Sequence, residues 1–441
     1  MKNSLIKLFL MLFCAAWMVS CEDDNKDNAD TGIPYDPAKP TVLESFYPSK
    51  GKYLEKVILK GSNFGDDPSA IEVYFNSRKA AVIGTNGTDM LVLAPRLPGD
   101  VCNISVVIGG DSLTYSDTFD YETSVTVTTL AGNGTKTGFQ EGTMGESIFM
   151  PRYLCVDPDN NVFICCWNET EGNQNHYVRL NEEEGIVSRV VRGIVGNAPA
   201  ADMETGVISF PTQTAIGSFY TLDPRESWGP RIRQMRFITS SAGIATPTNG
   251  WKHSMAINPG DGFIYTRYYH GHIVRIHPVS YEAEVIYQTA QGDSYGLAFN
   301  PTQPNVLYMA MWSNGGNVAN SICTIDVTDV ENTFQRISSP VVSGGHRDGA
   351  LSIAQFREPA QLYSDADGNI YVADYANHCI RRITPEGFVE TVLGVPGRSG
   401  WKDGTKEEAL FNGPRGVGVG QDGSVYVADY WNARIRKLSI N

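Results

Sequence analysis

The 441-residue chain is 41% hydrophobic and 10% aromatic, enough to bury two or three domain cores. It holds 44 Gly, 23 Pro and 21 Tyr, a wealth of turn and strand formers that argues against a mainly helical architecture. A formal net charge of −14 argues against nucleic acid as a partner, because phosphate binding needs clustered Lys and Arg. Residues 1–20 read as a secretory signal. Lys2 and Lys7 are followed by an apolar run from Leu8 to Val19 that is too short to span a bilayer.

The signal ends in "MVSC", with the small Ser20 before Cys21. This resembles the lipobox of bacterial lipoproteins. The resemblance implies that Cys21 is lipidated, becomes the mature N-terminus and anchors the chain to an outer membrane. The alternative is an ordinary signal peptide with an incidental cysteine. Cys14 competes poorly, since bulky Phe13 precedes it. Cleavage removes two lysines and no acid, which moves the charge from −14 to −16. Residues 21–39 are acidic and rich in proline, with nothing to form a core, and read as a solvated tether. Some 20 such residues span roughly 25 Å as a coil. Glu22, Asp23 and Asp24 directly after the cysteine resemble the surface-export signal of Bacteroidota lipoproteins.

Residues 40–122 carry about seven short β-rich runs broken by Gly, Asn and Asp, the pattern of a sandwich. "PTVLESFYPSKG", "GSNFG", "LAPRLPG" and the closing "FDYE" resemble an IPT/TIG immunoglobulin-like domain. Such domains act as spacers or interaction modules, and no catalytic constellation is visible in this one. Cys102, Cys155, Cys165, Cys166, Cys323 and Cys379 sit mainly in apolar strand-like runs without metal-ligand spacing, so they read as small buried hydrophobes. On a strand, adjacent Cys165 and Cys166 point to opposite faces.

Residues 125–441 repeat. "GNIYVADYANHCIRRI" from Gly368 returns as "GSVYVADYWNARIRKL" from Gly423. Related copies begin at Phe149, Ser254 and Tyr295, and a weaker one lies between about Val207 and Thr239. Each copy reads as four strands over roughly 50 residues, which predicts a six-bladed β-propeller and an all-β chain. The pattern resembles NHL repeats, most clearly in the first blade and the last two. "VTTLAGNGTKTGFQEGT" near Val127 matches "VETVLGVPGRSGWKDGT" from Val389, and the last copy stops one strand short. The missing strand, near Thr126–Leu130, is therefore expected from the N-terminal side, leaving no open edge.

Within the repeat, Asp374 and Asp429 end a strand, where a carboxylate can accept loop backbone N–H groups, and Asn377 and Asn432 suit the turn after it. A structural role is favoured, since Cys166 stands at the same place in the first copy. Aligning the copies puts Trp167, Tyr269, Trp312, Tyr375 and Tyr430 at one equivalent position, opening the loop between the second and third strands, with Trp431 beside the last. These rings either cover the blade ends as packing or form a platform on which sugar rings stack. They are expected to ring a disc tens of ångströms across, so that not all five can contact one ligand. The Asn- and Gly-rich insertions "NETEGNQNH" and "SNGGNVANS" in two of these loops favour the platform.

Seven histidines raise a metal-dependent propeller hydrolase or lyase as an alternative, with His270 and His272 the close pair. Nothing nominates catalytic residues, a resident metal or a cofactor, and a protein-binding adhesion or scaffold role is a further alternative. The whole architecture resembles the lipid-anchored surface proteins of Bacteroidota. This implies a polysaccharide-utilisation protein that binds a glycan beside a TonB-dependent transporter. An acidic glycan would need local basicity, for which Arg231, Arg233 and Arg236 are the candidates.

Overall fold

The structure, a computed structural model, describes residues 32–95, 101–122, 125–167 and 176–440, which fall into two units divided after residue 123. The signal segment, Cys21 and the first part of the acidic stretch lie outside the described residues.

The first unit is an Ig-like sandwich. Strands 42–47, 56–62, 89–93 and 78–85 form one sheet; strands 71–75, 101–108 and 111–121 form the other, with a short edge at 50–51. Strand 78–85 pairs first with 71–75 and then with 89–93, so it joins the two. Lys56–Ser62 alternates exposed and buried residues, as a strand with one wet face must. Its Val57 and Leu59 meet Val73, Phe75, Met90, Ile104 and Phe119 in the core. The stretch before residue 40 departs from the expected free tether. The Ile33 amide donates to the Asn86 carbonyl at 3.0 Å, Asn63 holds the backbone of Asp36 and Lys39, and Tyr35 packs on the core. Tyr35 supplies the apolar contact that an acid count overlooks.

The second unit is a six-bladed β-propeller. The innermost strands of five blades are 151–156, 252–257, 296–300, 359–364 and 414–419, and those of neighbouring blades lie side by side. Blade faces are covered on both sides, so the strands read as continuous apolar runs. Val162–Cys166 is buried throughout. Ile164 and Cys166 pack on Tyr426, Ala428 and Ile435 of the sixth blade, whereas Phe163 and Cys165 pack on Phe210 and Leu222 of the second. All six cysteines named above are buried and unbridged.

Closure follows the expected route. Val125–Ala131 lies antiparallel to Arg434–Ile440 and completes the sixth blade as its outer strand. The second blade is irregular and starts earlier than the repeat suggested. Its innermost strand is only Ala200–Ala201, upstream of Val207, with Ala198 bridging in parallel to Ser254. Pro199 beside it lacks an N–H, and the turn from Asp202 to Val207, like Asn258 to Phe263 in the third blade, is one residue longer than Asp157 to Asn161 in the first, which helps to hide the repeat.

Asp374 and Asp429 are framework residues. Both are fully buried. Asp429 accepts the Asn412 amide at 2.8 Å and faces Arg436 at 3.0 Å and Asn432 at 2.8 Å. Asp374 does the same with Arg357, Arg381 and Asn377. Burial pushes both carboxyls up to about 6, with the asparagines, backbone amides and arginines acting in the opposite direction. Both are therefore ionised at neutral pH. In the first blade the register-equivalent residues are Cys166 and Val178, in the third Tyr268 and Val274, and in the fourth Met311 and Cys323. Aspartate and arginine are thus present together or replaced together by apolar side chains.

Candidate functional site

The site lies at one mouth of the propeller axis, on the face made by the loops between second and third strands and by the links between blades. Each aligned aromatic directly follows a second strand. The Trp167, Tyr269 and Trp312 amides donate to the carbonyls of Met150, Trp251 and Asp293, which sit just ahead of the innermost strands. These bonds draw the start of each loop in beside the axis.

The rings are consequently not scattered around a wide disc, as the alignment had suggested. Trp312 lies 5.1 Å from Tyr375 and 5.7 Å from Tyr295. Tyr295 stacks on Tyr153 at 5.2 Å and meets His253 at 4.8 Å, and His253 leads to Tyr269 at 5.9 Å. Trp431 packs on Tyr430 at 4.6 Å and donates from Nε1 to the Tyr375 hydroxyl at 2.8 Å. A Cβ on Gly413, at φ +61°, would come within 2.6 Å of Trp431 and 2.8 Å of Tyr375, so a glycine there lets these two rings close together.

Exposure sorts the six residues. Trp431 is 40% exposed, and Trp167, Tyr269, Trp312 and Tyr375 are half-buried. Tyr430 is only 5% exposed and packs with Met150 and Ala433. That corrects its assignment as a ligand contact, because a buried ring offers no face to a sugar. Trp251, 51% exposed and 5.5 Å from Tyr269, extends the patch at the third blade.

Two arginines missed in the sequence hold the patch together. The Arg415 guanidinium lies 5.4 Å from the Trp312 ring, 4.9 Å from Tyr375 and 4.7 Å from Tyr430. Arg152 lies 4.8 Å from Trp167, 5.0 Å from Tyr153 and 5.7 Å from Tyr295. Each is the second residue of an innermost strand, and pairing with the next strand shifts there, between Pro151 and Tyr153 and between Pro414 and Gly416. Such bulges re-aim a side chain. His253 stands at the same shift in the third blade. Its Nδ1 accepts from the Ser294 amide at 3.3 Å, which leaves the proton on Nε2, 3.2 Å from Asp293. Burial, then Arg267 and Arg152, pushes His253 down to about 3, so it is neutral at physiological pH.

The expected basic patch does not materialise. Arg231 pairs with Glu226 and Arg236 with Glu282, while Arg233 donates to Thr221. His270 lies against Asn249, and among the described residues no three His, Cys, Asp or Glu side chains are grouped to hold a metal ion.

The model of the IPT/TIG domain matches residues 40–121, and that of the NHL repeat matches residues 356–383 and 411–438. Two curated proteins are similar over short segments. Protein SUPPRESSOR OF QUENCHING 1, chloroplastic, of Arabidopsis thaliana is 31% identical over 97 residues. NHL repeat-containing protein 2 of Gallus gallus is 36% identical over 107. The match takes in 22% of this chain in both cases but 9% and 14% of those proteins, so the chain spans only a small part of each. Solved structures match over nearly the whole length. A protein of unknown function from Bacteroides thetaiotaomicron is 25% identical with a TM-score of 0.73, over 93% of this chain and 100% of that one. An auxiliary nutrient binding protein from Bacteroides ovatus is 21% identical with a TM-score of 0.62, over 93% and 100%. Another from B. thetaiotaomicron is 22% identical with a TM-score of 0.59, over 92% and 99%.

Proposed function

We propose that this protein is a nutrient-binding surface lipoprotein that captures a glycan at the axial mouth of its propeller and acts without catalysis, beside a TonB-dependent uptake system. The observation that carries the reading is the continuous patch of half-exposed rings, Trp167, Tyr269, Trp312, Tyr375 and Trp431, on the loop face of a rigid ring of blades. Flat apolar faces flanked by polar groups suit sugars, whose C–H faces stack while their hydroxyls stay wet. The auxiliary nutrient binding proteins from Bacteroides support the same reading, since they share this fold over almost the whole chain. His253 has both ring nitrogens engaged and is not poised to move a proton.

The direct test is binding of the soluble protein to a panel of polysaccharides and oligosaccharides, by affinity gels and calorimetry. Saturable binding to a glycan is the expected result, and turnover abolished by a chelator would replace this reading with a metal-dependent enzyme. The anchor is tested separately. Cys21→Ala is expected to move the protein from the membrane fraction to the soluble fraction. A Cys21→Ala variant that stays membrane-bound would refute lipidation there.

A further inference from the structure

We propose that the ligand of the axial mouth is anionic, a saccharide bearing a carboxylate or a sulfate, and that Arg152 and Arg415 receive its charge. The proposal rests on the reading that the mouth binds a glycan and adds the charge of that glycan.

Three fully buried arginines have their guanidinium nitrogens held by carboxylates, a hydroxyl or carbonyls, although Arg436 Nε, too, is without a partner among the described residues. Arg381 faces Asp374 and Asp348, and Arg436 faces Asp429 and Asp403. Arg267 donates to Thr289 Oγ1 and to the carbonyls of Gly292 and Ala290. Arg152 is treated differently. It is 7% exposed, and among the described residues its Nε has no hydrogen-bond partner and its side-chain bond is a long one of 3.4 Å from Nη2 to the Tyr153 hydroxyl. Arg415 Nε is likewise buried without a partner. Among the described residues, neither arginine is paired with a carboxylate.

A guanidinium carries five donors in a planar fork that matches a carboxylate or sulfate. A buried cation with open donors is costly unless an anion completes it. The rings stacked around both groups hold them in place and cannot neutralise them. Both guanidinium groups act on the Tyr153 and Tyr295 phenols, opposing the burial that pushes those phenols up, which places the two charges around one pair of rings. Among the described residues two acids lie at this face and both are engaged: Asp293 receives His253 Nε2 at 3.2 Å and Asn314 Nδ2 at 3.0 Å, and Glu358 receives Ser313 Oγ at 2.7 Å. In a chain of net charge −14, two guanidinium groups without a carboxylate partner among the described residues thus lie next to faces suited to sugar rings.

The experiment titrates the whole mature protein with matched pairs that differ only in charge. Oligogalacturonide and its methyl ester test a carboxylate, and chondroitin sulfate oligosaccharide and its desulfated form test a sulfate. The charged member of one pair should bind about ten- to a hundred-fold more tightly than its neutral partner, the worth of one or two charge-assisted hydrogen bonds. Arg415→Gln and Arg152→Gln should each bring the charged member down to the neutral one, and Arg415→Lys should retain part of the preference. Inorganic sulfate, compared with chloride at matched ionic strength, should raise the melting temperature of the wild type more than that of Arg415→Gln. If Arg152→Gln does not fold, Arg415→Gln, which alters a half-exposed side chain, decides the matter. Equal affinity within both pairs overturns the proposal, and if Trp312→Ala then weakens both members, the glycan reading survives. Absence of all glycan binding removes that reading too. Sulfate stabilisation unchanged in both variants overturns the arginine cradle whatever the glycan.

Discussion

Replacing residues 125–131 with seven Gly and Ser residues is expected to melt the whole propeller at a much lower temperature, in a single transition. The segment pairs along its length with the last strand, from Ile435 opposite Ala131 to Ile440 opposite Val125. Its Val127 and Ala131 are each 1% exposed, and Val127 packs with Val417, Val427 and Leu438. Losing the Val127 burial costs about 1.5–3 kcal/mol. Each ladder hydrogen bond adds about 1 kcal/mol. Several such bonds together are comparable with the ~5–15 kcal/mol that holds a domain folded. The replacement also strips the partner from strand Arg434–Ile440 and leaves it as an open edge. Differential scanning calorimetry of the full chain and the replaced chain makes the comparison. An unchanged propeller transition would show that the ring does not depend on this closure.

Asp429→Ala is expected to cost about 3–5 kcal/mol, because it leaves Arg436 buried with half of its ionic partners gone. Arg436 keeps Asp403 at 2.6 Å and the Leu410 and Lys402 carbonyls, which places the loss toward the lower end of that range. Joining Asp429→Cys with Arg436→Val copies the combination that the first blade already uses at Cys166 and Val178. The double change should cost less than the sum of its singles by about 1–3 kcal/mol, because the two side chains form one unit. Urea denaturation of the four proteins measures the coupling, and strict additivity would mean that aspartate and arginine stabilise the blade independently.

The fold was legible because its signals are local and repeated. Strand lengths, Asp-Gly turns and the match between Val127 and Val389 were enough to give both the blades and their closure. The second blade was obscured by Pro199 and by an innermost strand of only two residues, which broke the pattern without breaking the sheet. The aromatic positions could be aligned, but their mutual distances could not. Those depend on main-chain bonds such as Trp312 to Asp293, which pull the loops in toward the axis. Arg152 and Arg415 had left a trace, the Pro-Arg pair in both "MPRY" and "GPRG". A single arginine after a proline reads as a surface residue, and only the shift in strand pairing turns it toward the mouth. Arg231, Arg233 and Arg236 looked basic in a row because the partner of Arg236, Glu282, lies far along the chain and that of Arg231, Glu226, stands across the turn before the strand.

The most direct test of the account is a pair of measurements on Trp312→Ala, with Trp431→Ala beside it: affinity for the best glycan by calorimetry, and melting temperature. Stacking of one ring contributes about 1–3 kcal/mol by analogy with nucleobase platforms, so each loss should weaken binding by roughly tenfold or more. Trp431, 40% exposed, should give this loss with little change in melting, and Trp312, half-buried between Tyr295 and Tyr375, with a modest one. Lowered melting temperatures with unchanged affinity in both variants would contradict the account and make these rings packing at the blade ends.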